Sequence, residues 1–317
     1  MIKREVYLGI DTSCYTTSVA LIDRQGSLVA ERRRILEVKF GAKGLAQSEM
    51  VFQHTRNLPE LMEEVLDRQN MHILGIGVSK QPRPVEESYM PAFLTGYGLA
   101  RSLAVALSIP LLPLSHQENH LEAGLWSAQG PQTEKFLLLH ASGGTTDILL
   151  ASREETGRYH LTHVGGSIDL HAGQFIDRIG VALGLQFPTG PALEQMAATA
   201  QIKQELPIAV QKNRISLSGP ATAALRALTA GAEPAALALG VEYTLAETFV
   251  RCLRNIAKEQ QVQAVLLVGG VASNCYIREH IITRLQKYRI RVYIPEAKFS
   301  GDNATGCAVF AQRMLEK

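Results

Sequence analysis

The chain has 317 residues, long enough for two ordinary domains or for one large two-lobed unit. Apolar residues make up 46% and charged residues 20%, which fits a packed globular enzyme and excludes a disordered or fibrous chain. A formal net charge of +2 announces no bulk attraction to nucleic acid, and four scattered cysteines without a Cys-x-x-Cys pair argue against a zinc ribbon or a disulfide framework.

The first residues run straight into a strand without the apolar core of a secretion signal, and no apolar run reaches membrane-spanning length. A cytoplasmic protein of a reducing compartment is expected. Tyr7 to Ser13 followed by Ser18 to Asp23 reads as strand, small polar turn, strand, with a further strand over 27–34. Arg32-Arg33-Arg34, and Lys80 with Arg83, are local basic spots that suit either a solvated surface or a phosphate contact. A helix is predicted over 47–68, a strand over 73–79, a helix over 92–107 and a short strand over 111–114.

His116-Gln117-Glu118-Asn119-His120 comes next. Residues i and i+4 share one helix face, so both imidazoles can reach one metal ion. Two polar helix residues would give the same spacing. The run differs from the zinc-protease signature His-Glu-x-x-His because its glutamate stands one place too late.

From Phe136 to Leu150 the opening pattern returns: a buried strand, the hydroxyl-rich turn Ser142-Gly143-Gly144-Thr145-Thr146, and a second strand, with a third over 159–164. The glycines let a ligand approach the backbone, and successive amides form a nest for phosphate oxygens. A duplicated α/β unit of this kind predicts two similar lobes around a cleft. Residues 170–200 are helical in pattern, broken at Phe187-Pro188-Thr189-Gly190-Pro191, and 234–260 is a long alanine- and leucine-rich helix. A buried strand over 264–268 opens into Gly269-Gly270, then a helix over 273–287 capped by Ser273 or Asn274, a strand over 291–294 and a last helix from about 303. Three such elements in order point to nucleotide binding.

The chain resembles the actin-like ATPase superfamily, and more specifically the TsaD family of tRNA threonylcarbamoyltransferases, once labelled O-sialoglycoprotein endopeptidases. The resemblance rests on Gly9-Ile10-Asp11-Thr12-Ser13-Cys14, His116 with His120, Ser142-Gly143-Gly144, Phe175-Ile176-Asp177, Pro188-Thr189-Gly190-Pro191, Gly269-Gly270-Val271-Ala272-Ser273-Asn274 and Asp302-Asn303. It implies an α/β, duplicated actin-like ATPase (ribonuclease H-like) fold, with two lobes around a nucleotide cleft. It places the first lobe at 1–112, with residues 296–317 packing back on it, and the second at 113–295.

The same resemblance implies a divalent metal on His116, His120 and Asp302, with iron(II) favoured over zinc. Two nitrogens and a carboxylate with open positions suit either ion. Contacts to an adenine nucleotide (threonylcarbamoyl-adenylate, AMP or ATP) map to His140, Ala141, Ser142, Gly143, Gly144, Asp177, Gly190 and Asn274. The implied reaction moves a threonylcarbamoyl group from its adenylate to the N6 amine of the adenosine beside a tRNA anticodon, with Asp11 orienting or deprotonating the amine. tRNA, together with partner subunits of a tRNA-modifying complex or a second copy of the chain, is the expected company.

Several runs depart from the family pattern. Tyr15-Thr16 stand where two acidic residues are usual, Thr145 replaces a histidine, and Asp169-Leu170-His171-Ala172-Gly173-Gln174 replaces Asp-Asp-Ala-Ala-Gly-Glu. Gln81-Pro82-Arg83-Pro84-Val85-Glu86-Glu87 replaces a Gly-Pro-Gly-Leu loop. These departures suit a paralogue that transfers another carbamoyl-type group, or a non-catalytic partner subunit, as alternatives. The intact metal residues speak against the last.

Overall fold

Alternating side chains in the first strand decide how the N-terminal unit is built. The computed structural model describes residues 4–13, 15–38, 45–66 and 71–316, so Cys14 of the first motif and the end of the helix expected over 47–68 lie outside the described residues. Strand β1 (Arg4–Ser13) pairs antiparallel with β2 (Thr16–Asp23), which pairs antiparallel with β3 (Leu28–Ile35). Helix α1 (Gln47–Leu66), strand β4 (Met71–Gln81), helix α2 (Ala92–Leu107) and strand β5 (Leu111–Ser115) follow. The sheet order is β3-β2-β1-β4-β5, with β4 parallel to β1 and β5 parallel to β4. Val6, Leu8 and Ile10 point to one face and pack with Leu58, Leu61 and Ala100 of α1 and α2. By the same alternation Tyr7, Gly9 and Asp11 point to the other face.

That second face receives α3 (His116–Ala128) and, from the far end of the chain, the terminal helix. The elements between them belong to the second unit: β6 (Lys135–Ala141), β7 (Thr146–Arg153), β8 (Tyr159–Ser167), α4 (Ala172–Ala182), α5 (Gly190–Ala197), β9 (Val210–Gln211), β10 (Arg214–Ile215), α6 (Ser218–Thr229), α7 (Pro234–Gln260), β11 (Ala264–Val268), α8 (Cys275–Gln286), β12 (Arg291–Tyr293) and α9 (Ala297–Ser300). The terminal helix is α10 (Thr305–Leu315). Its first turn lies so close to the sheet that a Cβ at Gly77 would overlap the Cys307 carbonyl. Ala304 and Ala308 pack with Ala20 and Ile22 on this side.

The second sheet runs β12-β11-β6-β7-β8-β10-β9. Its β8-β7-β6 antiparallel meander, followed by parallel β11 and β12, repeats the order β3-β2-β1-β4-β5 of the first sheet. The duplication read from the two hydroxyl-rich turns is therefore present in the strand topology. Its core gathers Leu137, Leu139, Ile148, Phe175, Leu245, Phe249 and Leu267. Burying each such side chain stabilises the unit by roughly 1.5–3 kcal/mol.

The chain divides into two compact units, residues 1–127 with 302–317, and residues 128–301. The first break falls at 127 instead of 112, because α3 docks on α10. The return to the first unit begins at Asp302 instead of 296. The helix expected over 273–287 is split into a 3₁₀ turn, Gly270–Ser273, and α8, with Asn274 between them as N-cap. Helix α6, the strand pair β9–β10 and the short α9 were not anticipated from sequence. No helix among the described residues is long and apolar enough to cross a membrane. Among those residues Cys252, Cys275 and Cys307 are free thiols.

Candidate metal centre and nucleotide site

In the first unit, β5 ends at Ser115 and α3 begins at once. The Glu118 carboxylate accepts from the Ser115 amide (2.6 Å) and hydroxyl (2.7 Å), while the Glu118 amide donates to Ser115 Oγ (3.2 Å). This reciprocal cap starts the helix and occupies Glu118, so Glu118 is no water-activating base. One turn of helix then brings His116 and His120 together, their Nε2 atoms 3.1 Å apart. Asp302 Oδ1 lies 3.5 Å from His116 Nε2 and 3.3 Å from His120 Nε2.

Asp11 closes the far side. It is fully buried, accepts from Ser13 Oγ (2.5 Å) and Ser79 Oγ, and faces His116 Nδ1 at 3.4 Å. Burial alone would lower the basicity of His116, yet the Asp11 and Asp302 carboxylates overcome it and push its pKa up to about 10. His120 is held below the ordinary imidazole value by burial and by the charge of His116. Burial would raise Asp302, but hydrogen bonds from both imidazoles hold it far below the usual carboxylate range.

The donor set fits a metal. Ligand atoms of one ion bound at about 2.1 Å lie roughly 3–3.4 Å from each other, close to the spacing of these two nitrogens and one oxygen. A carboxylate facing Nδ1 of His116 at 3.4 Å favours the tautomer that would leave Nε2 available to an ion.

The second unit holds all the residues mapped to the nucleotide. His140 and Ala141 end β6, and a turn closed by Ser142 N–H to Thr145 O (2.8 Å) follows. A Cβ on Gly143 or Gly144 would meet nothing within 4 Å, so this backbone lies open to a ligand. Strand β11 is parallel to β6, with Val268 opposite His140, and positive-φ Gly269 passes against the Ala141 carbonyl. The two glycine turns thus meet at the C-terminal ends of neighbouring parallel strands, where α/β sheets bind ligands.

Asp177 does not pair with Arg178, the ordinary alternative for a helix-surface charge. Its Oδ1 accepts from Thr189 N (2.8 Å) and Oγ1 (3.1 Å), which fixes the start of α5 at Gly190. Glu194 of α5 accepts from the Cys275 amide (2.6 Å), tying that helix to the start of α8. Asn274 caps α8 through Ile277 N–H (2.8 Å), and its amide group donates to Glu242 (2.5 Å). Glu242 went unnoticed in the sequence. Its signal is a carboxylate on the buried face of an alanine- and leucine-rich helix, one of two there with Glu247.

The basic run on β3 is neutralised. Arg32 pairs with Glu64 (3.2 Å), Arg33 with Glu31 (2.7 Å), and Arg34 with Glu60 (2.5 Å), so the run presents ion pairs and not a phosphate-binding stripe.

Residues 38–309 match the family model for TsaD, tRNA N6-adenosine threonylcarbamoyltransferase. A tRNA N6-adenosine threonylcarbamoyltransferase from Thermus thermophilus is 32% identical over 317 residues, covering 98% of this chain and 93% of the relative. A probable bifunctional tRNA threonylcarbamoyladenosine biosynthesis protein from Methanothermobacter thermautotrophicus is 29% identical over 96% of this chain, which spans 55% of that relative's length. HypF from T. kodakarensis superposes with a TM-score of 0.66 at 16% identity, over 99% of this chain and 47% of its own, a likeness of fold alone.

Proposed function

On the footing that the chain belongs to the TsaD family of tRNA N6-adenosine threonylcarbamoyltransferases, we propose that it transfers a threonylcarbamoyl group from threonylcarbamoyl-adenylate to the N6 amine of the adenosine beside a tRNA anticodon. The observation that carries the reading is the convergence of His116 Nε2, His120 Nε2 and Asp302 Oδ1 within 3.1–3.5 Å. A divalent metal, iron(II) or zinc, held by these three residues would supply Lewis acidity and a template for phosphate and carbamoyl oxygens.

The chain's own residues do the rest. The amides of Gly143 and Gly144 receive the adenylate phosphate, and Gly269-Gly270 present flat backbone to the adenosine. Asp177 Oδ1 is taken by Thr189, so Oδ2 is the oxygen that meets the ribose hydroxyls. The amine forms its bond to the carbamoyl carbon as the bond to the phosphate oxygen breaks, the amine's surplus proton passes to the departing phosphate or to solvent, and AMP leaves. Asp11, buried behind His116 and held by two serine hydroxyls, acts by orienting that imidazole, in place of the direct role toward the amine expected from sequence. Partner subunits or a second copy complete the active form.

Complementation of a bacterial strain lacking its own enzyme, followed by mass spectrometry of tRNA nucleosides, tests the reading. Threonylcarbamoyladenosine is the expected product. Its absence, with AMP and metal binding intact and partner proteins supplied, would instead identify a paralogue with another acceptor.

A further inference from the structure

Asp302 sits on an irregular stretch before α10, so something other than helical hydrogen bonding must hold its carboxylate in place. Two side chains take hold of consecutive carbonyls there. Asn119 Nδ2 donates to the Asn303 carbonyl at 2.7 Å, with both residues buried. Arg33 Nη1 donates to the Asp302 carbonyl at 3.3 Å.

Neither arrangement is incidental to packing. Asn119 stands between the two histidines on α3, where an inward asparagine is a weaker helix former than alanine and costly to bury unless bonded. Its Nδ2 bond to Asn303 offsets part of that cost, while Oδ1 is buried without a hydrogen-bond partner among the described residues. Gly306 lets α10 lie directly against this turn, since a Cβ there would overlap the Asn119 carbonyl. Asn303 Oδ1 in turn accepts from Thr305 N (2.9 Å), so the held stretch passes without slack into the helix. Arg33 stands opposite Ser18, and Ser18 opposite Asp11, so one row across three strands carries Arg33 and Asp11 to the same face. Glu31 takes Arg33 Nε at 2.7 Å and fixes the plane from which Nη1 reaches out.

We propose that Asn119 and Arg33 are positioning residues that clamp the Asp302-Asn303 backbone so that the Asp302 carboxylate meets the two imidazoles of α3. This rests on the metal reading above. One helical turn then supplies two donors and also the hydrogen bond that aims the third. The consequence is a site whose affinity and coordination geometry depend on groups that never touch the ion.

The test is titration of the full-length protein with Co²⁺, read by visible absorption, for the wild type, His116→Ala, Asn119→Ala and Arg33→Gln. Chemical denaturation of each variant accompanies the titration. Wild type should bind one equivalent and His116→Ala should lose it. Asn119→Ala should bind about 10–100-fold more weakly, with an altered ligand-field band, and Arg33→Gln should weaken in the same direction by a smaller factor. Wild-type affinity and spectrum in both variants, with His116→Ala inactive for binding, would overturn this inference and leave the metal reading standing. Failure of the wild type to bind Co²⁺, or binding unchanged in His116→Ala, removes both. If Asn119→Ala does not fold, Arg33→Gln on an edge strand decides: weaker binding supports the clamp, and unchanged binding overturns it.

Discussion

Asp11 faces His116 across 3.4 Å from the opposite side of the ring to Asp302, so this imidazole is held between two carboxylates. One faces Nδ1 and the other faces Nε2. Asp11→Asn keeps the volume and the serine hydroxyl partners but removes the charge that orients Nδ1–H. We expect purified wild-type protein to carry about one equivalent of iron or zinc by elemental analysis, His116→Ala and Asp302→Ala to carry almost none, and Asp11→Asn to bind about 10–100-fold more weakly. Full metal occupancy in His116→Ala would sink the assignment.

Gly144 offers a cleaner probe of the nucleotide site than any polar residue. A side chain there meets open space, and its φ is not in the left-handed region. Gly144→Val should therefore leave stability within about 0.5 kcal/mol of wild type, as for other surface changes. It should nonetheless abolish AMP binding in calorimetry, because the methyl groups fill the approach to the amide nest. Unchanged AMP affinity in a folded variant would move the phosphate site elsewhere.

What could be read from the sequence is what is local in it. His116 and His120 declare themselves because a helix repeats every 3.6 residues, and Ser142 to Thr146 because a strand runs into glycines. Asp302 has no such signature. It stands almost two hundred residues from the histidines, and only the family resemblance joined them. The first break was misplaced for a related reason: α3 is held to α10 by Gly306 against Asn119 and by the Arg313–Glu122 ion pair, contacts between distant segments that no composition shift marks. Helix α6 was missed because Gly219 and Pro220 open it and its partner at the N-terminus, Asp169, lies far upstream.

That partner makes its own prediction. Asp169 accepts from Ser216 Oγ (2.6 Å) and from the amides of Leu170 (2.5 Å) and Leu217 (2.9 Å), joining the start of α4 to the start of α6. Partial burial would raise its pKa, but these hydrogen bonds hold it well below the usual carboxylate range. A depressed pKa stabilises the fold above the unfolded value near 4, and the contribution is lost as pH falls below it. Asp169→Ala should cost about 1 kcal/mol in urea unfolding at pH 7, the usual loss for a helix cap, and the difference from wild type should shrink at pH 3. A penalty that stays constant with pH would show that shape, not charge, is what Asp169 provides.

Glu242 titrates in the opposite sense. Burial pushes its carboxyl up to about 7, the Asn274 amide works against this, and the nearby Glu194 charge adds to it. The folded chain therefore binds a proton that the unfolded chain releases between pH 4.5 and 7, so stability falls as pH rises through that window and levels off above it. A shift of this size corresponds to roughly 3 kcal/mol at most. Glu242→Gln keeps an acceptor for Asn274 and cannot ionise. Its urea unfolding midpoint should match wild type at pH 5 and exceed it at pH 8, and because both proteins share every other titrating group, the difference isolates this one. A variant less stable than wild type at pH 8 would mean that the charged form of Glu242 is favoured by its surroundings, with the Asn274 hydrogen bond outweighing the cost of burial.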